Sequence, residues 1–307
     1  VPPRPGARVV TTEYWDGRVM RVVRKRHSGM VFAFGADENL AAGPCADHAD
    51  DLAEFIDGRC RAFLARQGYL SIRAAGVAHG TSGVAVAVQG LCQEAGIIFM
   101  AGLTHSNDTT GKDKKANGFR HFFNSYMTGA ALAPVLAKNY GTDRKAYHLT
   151  ADYNWGYTTE EAVRTSTEAM GWETVGTVLT PLTQTDFSSY IAPVLQSDAD
   201  VLVLNHYGGN MVNSLTNAVQ FGLLDKEVNG KKFEIVVPLF SRLMAQGAGD
   251  AIKGIFGSTN WHWSLPDEGS KAFVKSFGTK YGFPPSQAVH TCYVQALLYA
   301  DAVTRAG

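Results

Sequence analysis

Long apolar runs, net charge and cysteine clusters are all missing from this chain, and each absence removes a class of function. No apolar stretch approaches the roughly 18–20 residues that span a bilayer. Lys and Arg number 28 and Asp and Glu number 28, so there is no basic excess of the kind a nucleic-acid partner requires. The four cysteines, Cys45, Cys60, Cys92 and Cys292, form no C-x-x-C pair and no His-rich metal spacing. Cys92 and Cys292 fall in apolar helical patterns and read as free core thiols. There is no G-x-G-x-x-G after a strand, no G-x-x-x-x-G-K-[ST], no G-x-S-x-G and no H-E-x-x-H. Gly80-Thr81-Ser82-Gly83 lacks nucleophile-elbow spacing, and no His–carboxylate pair can be assigned to activate Ser82. Asp152 reads as a turn former. Catalytic residues, metal and cofactor are therefore none. No start methionine, basic n-region or apolar h-region opens the chain, so any signal peptide is expected to have been removed or lost.

What is present is a core and a rhythm. At 45% hydrophobic over 307 residues, the chain suits one large or two ordinary globular domains. From about residue 80, strand and helix signals alternate. Helices are expected at 83–95, 126–140, 158–170, 187–196, 209–221 and, more weakly, 243–252. Strands are expected at 97–101, 144–150, 173–179, 201–207, 233–240 and 255–263. Gly141 suits a left-handed cap after the second helix, and Thr158 with Glu161 reads as a capping box. Two helices finish the chain, the last with a stripe of Val289, Tyr293, Ala296, Ala300 and Val303. Strands separated by helices of this length are βαβ units, so the fold class is α/β with parallel sheets flanked by helices. Ligands of such sheets bind outside the carboxyl ends of the strands.

Residues 1–75 break the rhythm. They hold ten Arg and one Lys, against five Arg and twelve Lys in 76–307. They predict at best a helix near 50–66 and a strand at 30–34. One reading is a divergent region with a basic face; the other is sequence translated from a shifted reading frame.

The strand ends carry the candidate site. "HGTSGVAVAVQ" places Thr81 and Ser82 at a helix start, which reads either as an ordinary N-cap or as a carboxylate site built from hydroxyls, free N–H groups and the helix dipole. "MAGLTHSND" offers Thr104 at the same sheet edge, with His105 read as a solvated loop residue. "ADYNWGY" presents Tyr153 and Trp155, "LNHYGGN" presents His206 and Tyr207, "PLFSR" presents Phe240, and "STNWHWS" presents Trp261. Rings at so many strand ends suit a cleft for a small amphiphilic solute.

Several separated blocks resemble one family: "GTSGVAVAVQGLCQEAGIIFMAG", "ADYNWGYTTEEAV", "DFSSYIAPVLQSDADVLVLNHYGGNMVNSLTNAVQFGL" and "SKAFVKSFGTKYGFPPSQAVHTCYVQALLYADAV". They resemble type I periplasmic solute-binding proteins of ABC importers, in the leucine/isoleucine/valine-binding group, over residues 79–307. The resemblance implies a two-lobe fold, with lobe 1 at 1–125 and 258–307, lobe 2 at 126–257, and a C-terminal part missing. It implies a periplasmic or extracellular monomer that holds a solute between its lobes by hinge closure and passes it to a membrane permease. In that group Thr81, Ser82 and Thr104 correspond to the carboxylate contacts, Trp155 to the aromatic that closes over the ligand, and Tyr207 or His206 to a further aromatic contact. Amino-acid binders of the group carry an acid shortly after the strand matching 233–238. Here that stretch reads Pro238-Leu239-Phe240, so a carboxylate or neutral amide fits better than a zwitterion. A ligand-sensing regulator of the same fold and an α/β hydrolase using Ser82 or Asp152 are the alternatives.

Overall fold

A computed structural model describes residues 7–14, 18–25, 31–34, 75–79, 82–94, 96 and 98–306. Thr81, Cys45, Cys60 and the helix expected at 50–66 lie outside the described residues. The chain divides into two compact units, Val1–Phe122 with Trp263–Gly307, and Phe123–His262.

The first unit opens with β1 (Ala7–Tyr14), β2 (Arg18–Lys25), β3 (Val31–Phe34) and β4 (Ala75–His79). Helix α1 (Ser82–Glu94), β5 (Ile98–Ala101) and β6 (Gly118–Arg120) follow. The strands lie in the order β1-β2-β3-β4-β5-β6. β1 and β2 pair antiparallel, as do β2 and β3, whereas β3 to β6 are parallel. β3 matches the strand expected at 30–34. β1 and β2 were not expected, because their arginines interrupt the period-two pattern; the register nevertheless sets Val9 opposite Val23 and Val10 opposite Val22. β-branched residues favour that pleated geometry. Ala85 and Cys92 of α1 pack with Phe99 and Ala101 of β5.

The second unit runs α2 (Ser125–Tyr140), β7 (Lys145–Ala151), α3 (Asn154–Glu168), β8 (Glu173–Thr180), α4 (Ser188–Gln196), β9 (Val201–Asn205) and α5 (Gly209–Gln220). It continues through the hairpin β10 (Glu227–Val228) and β11 (Lys231–Lys232), then β12 (Glu234–Leu239), α6 (Arg242–Ala248) and β13 (Phe256–Ser258). Five strands form one sheet in the order β13-β12-β9-β7-β8, parallel throughout. Alternation sorts its residues to two faces. Ala146, Val201, Val203 and Val236 meet Leu132, Leu136 and Val163 from α2 and α3. Leu149, Leu202, Leu204, Ile235 and Val237 meet Ile191, Val194, Met211, Leu215 and Met244 from α4, α5 and α6. Doubly covered strands read as continuous apolar runs, which is why "VLVLN" was legible.

The first unit closes with α7 (Glu268–Tyr281) and α8 (Gln287–Ala306). The buried face of α8 shares only Ala296 and Ala300 with the expected stripe. Ala288, Thr291, Cys292, Gln295, Ala296, Tyr299 and Ala300 are buried, while Val289, Tyr293 and Val303 are only partly so. Gln287 is buried at its start, and two further polar residues sit on that face with specific partners: Gln295 donates to the Ala101 carbonyl and Thr291 bonds the His121 ring at 2.9 Å. Cys92 and Cys292 are free, buried thiols, as expected.

Boundaries shifted in three further places. α3 begins at Asn154, not near 158, and its cap Tyr153 makes no side-chain cap bond. Thr158 is not a capping residue: its hydroxyl donates to the Trp155 carbonyl at 3.3 Å and meets Ser125 of α2. α6 ends at Ala248 and passes into a 3-10 turn, Gly249–Ile252. The strand expected at 255–263 is only the three residues of β13.

Candidate functional site

In the second unit the chain turns sharply after β7. The Tyr153 N–H donates to the Ala151 carbonyl at 2.8 Å, and α3 starts at once. That approach demands glycine at position 156, since a Cβ there would stand 1.9 Å from the Ala151 oxygen. The turn sets Tyr153 and Trp155 at the carboxyl end of β7. Their ring centroids are 5.8 Å apart at 43°. β9 is the neighbour of β7 in the sheet, and after it Gly208, at φ +61° and ψ −136°, takes a backbone conformation that only glycine adopts readily. That turn delivers Tyr207, whose ring stands edge-on to Trp155 at 6.2 Å and 71°. Three of the expected site residues are thus one contiguous aromatic group, with Trp155 only 2% exposed.

The remaining residues expected in this unit take other places. His206 is wholly buried; its Nε2 meets the Thr180 hydroxyl at 2.9 Å and its Nδ1 the Ser214 hydroxyl at 2.8 Å. Phe187 packs on the ring at 5.1 Å, and burial lowers the histidine pKa to about 3. Both ring nitrogens are used inside the core, so the strand end presents Tyr207 and not His206. Phe240 follows β12 directly, and its ring occupies the space above Gly257, where a Cβ would come within 2.2 Å of it. Trp261 is buried, three residues beyond β13, and its carbonyl accepts from the Thr259 hydroxyl at 3.0 Å. Asp152 is exposed and accepts from the Tyr157 hydroxyl.

Sequence reasoning missed a polar layer at the same sheet end. Asn205, the last residue of β9, donates from Nδ2 to the Thr150 hydroxyl at 3.1 Å and contacts His148 Nδ1 at 3.2 Å. Asn205 Oδ1 and His148 Nε2 are buried with no hydrogen-bond partner. Nothing in "VLVLNHY" marks that Asn as buried, because a polar residue ending an apolar run reads as the start of a loop.

In the first unit Ser82 is the first residue of α1 and is 2% exposed. Its hydroxyl accepts from the Ser106 N–H at 3.2 Å, which joins the helix start to the loop after β5. Thr104, 1% exposed, lies in that loop, and its Oγ1 is buried with no hydrogen-bond partner. The structure therefore links these two expected residues through one loop. His105 is a correction: it is not solvated but 1% exposed, with Phe122 edge-on at 5.9 Å. Burial first, and then the neighbouring Arg120 charge, lower its pKa to about 3. Arg120 is the other residue the sequence did not single out. Its guanidinium donates to the Thr104 and Ser106 carbonyls and to the Thr110 hydroxyl.

The fold has many solved relatives. A periplasmic binding protein from Burkholderia mallei is 22% identical, with a TM-score of 0.68; the match covers 83% of this chain and 65% of that one. An amino acid ABC transporter substrate-binding protein from Pseudomonas fluorescens Pf-5 is 21% identical, with a TM-score of 0.67, covering 85% and 67%. A solute-binding protein of an ABC transporter from R. palustris, in complex with benzoate, is 22% identical, with a TM-score of 0.68, covering 82% and 76%. The chain thus spans about two thirds of the length of the first two. Among curated proteins none matches. The profile of the family described as "Periplasmic binding protein" matches residues 63–307, four fifths of the sequence. The chain belongs to the periplasmic binding protein family.

Proposed function

We propose that the chain is the solute-binding component of an ABC importer, acting outside the cytoplasm and delivering a small aromatic or apolar carboxylate to a membrane permease. The observation that carries this reading is the Tyr153, Trp155 and Tyr207 group at the carboxyl ends of adjacent strands. Half-buried tyrosine rings backed by the buried Trp155 suit contact with an apolar or aromatic body. The second support is the α1 end of the first unit, with Ser82, the unpartnered Thr104 hydroxyl and the positive end of the helix dipole. Such a site suits an anionic head group.

A zwitterionic amino acid fits less well. The turns after the five parallel strands of the second unit hold two acids, Asp152 and Asp186. Both are exposed, and they bind Tyr157 and Ser188 respectively. Neither is a buried partner for an ammonium, and an unpaired buried ammonium costs several kcal/mol. The benzoate held by the R. palustris relative is a solute of the favoured class.

Calorimetric titration with benzoate tests this. Saturable one-to-one binding is expected, weakened at least tenfold, about 1.4 kcal/mol, in Tyr207→Leu. Stronger binding of leucine than of benzoate, or no heat with any carboxylate, contradicts the reading.

A further inference from the structure

We propose that Arg120 is the residue that makes the α1 end of the first unit select an anionic head group over a neutral one, acting through the loop that carries Thr104. This rests on the solute-binding reading above and adds to it the source of the charge preference.

Arg120 is the last residue of β6, so its backbone is held by the β5–β6 pairing, Ala101 against Arg120. Its side chain crosses to the loop after β5. Nη1 donates to the carbonyls of Thr104 and Ser106, and Nη2 to the Thr110 hydroxyl. All three acceptors are neutral. Among the described residues no carboxylate pairs with this guanidinium, while Asp108 on the same loop pairs with Lys112 at 2.9 Å. Hydrogen bonds to neutral oxygens occupy Nη1 and Nη2 but bring no counter-charge from the described residues, and a charge without one is costly to bury. Burial accordingly lowers the Arg120 pKa to about 10. Its field is felt on the loop, where it adds to burial in keeping His105 neutral.

The geometry gives Arg120 two effects on an incoming anion. First, it draws the Thr104 and Ser106 carbonyl oxygens toward itself, and a carbonyl bound to a guanidinium repels an anion less. The Ser106 N–H remains fixed on Ser82, and the Thr104 hydroxyl stays buried without a partner. Second, it supplies a positive charge at the backbone of the residue that carries that hydroxyl, through its bond to the Thr104 carbonyl. An anion placed there gains the Coulomb attraction in a medium of low effective dielectric; a neutral isostere does not. A plain loop brace would do only the first.

Benzoate and benzamide separate these roles, because they share size and ring and differ in charge. Dissociation constants for both are measured with the 307-residue chain and with Arg120→Lys and Arg120→Met, each checked for cooperative unfolding. Wild type is expected to prefer benzoate at least tenfold. Arg120→Met should bring that ratio to within twofold of one while changing benzamide affinity far less than benzoate affinity. Arg120→Lys keeps the charge but not the fork, so it should weaken both ligands and retain most of the preference. Equal losses for both ligands in Arg120→Met would show a brace only and overturn the proposal. Should Arg120→Met not fold, the wild-type and Arg120→Lys ratios decide, and a wild-type ratio near one overturns it. A wild type that binds neither probe contradicts the solute-binding reading itself, and this inference falls with it.

Discussion

Three histidines show how single residues are set by their surroundings here. His105, His148 and His206 are at most 1% exposed, and burial heads the causes that lower each pKa to about 3. The folded chain therefore keeps them neutral, whereas the unfolded chain protonates them below about 6.5. The unfolded state binds more protons in that range, so stability is lost as pH falls. Each group removes about 1.4 kcal/mol per pH unit once below 6.5. His290, lowered to about 4, and His121, also lowered, act in the same sense, so urea unfolding between pH 6.5 and 5 should show a fall equivalent to about three protons or more; a profile flat over that window contradicts the burial of these rings. None of this was legible in the sequence. A histidine beside an apolar run reads equally well as core or as loop, and only the partners decide: Phe122 for His105, Thr180 and Ser214 for His206. Arg120 was hidden for the same reason, since "GFRHFF" contains no acid to signal a pair.

At the scale of elements, the βαβ rhythm was readable because strands buried on both faces are written as apolar runs. "VLVLN" and "EIVVPL" leave little choice. Element ends were less readable. α3 starts early because Gly156 permits close approach to the Ala151 carbonyl, a steric fact with no periodic signal. The buried face of α8 differs from the apolar stripe because Gln295 and Thr291 find partners there, and hydropathy counts them as outward-facing. β9 also separates two roles along its length. Just before its first residue, Asp200 accepts from the Lys145 N–H at 2.9 Å and pairs with the buried Arg144 at 3.4 Å. Beyond its other end stands Tyr207. Asp200→Ala should therefore cost about 3–5 kcal/mol, because it strands a buried guanidinium. Solute affinity of the folded fraction should be unchanged, since the lesion sits at the amino end of the sheet. Thermal unfolding and calorimetry on the same sample check both halves, and a weakened affinity with intact stability would contradict this division.

For the whole molecule, the aromatic group of the second unit and the Ser82, Thr104 and Arg120 set of the first are complementary in chemistry. One offers rings and the other a positive, hydroxyl-lined helix end. The family resemblance had pointed to both places. Of the nine residues it and the strand ends marked, the structure draws Tyr153, Trp155 and Tyr207 together and joins Ser82 to the Thr104 loop. It places His206 in the core, and Thr81 lies outside the described residues. The most direct measurement is the thermal unfolding midpoint of the chain against a panel of aromatic and aliphatic carboxylates, amides, and branched-chain and aromatic amino acids. A solute at about 100 times its dissociation constant stabilises by about 2.7 kcal/mol, and a domain-sized chain converts that to a rise of several degrees. A rise with aromatic carboxylates that amides and amino acids do not match is the predicted result. A cooperative transition that no carboxylate moves, or one raised by amino acids alone, would contradict the account.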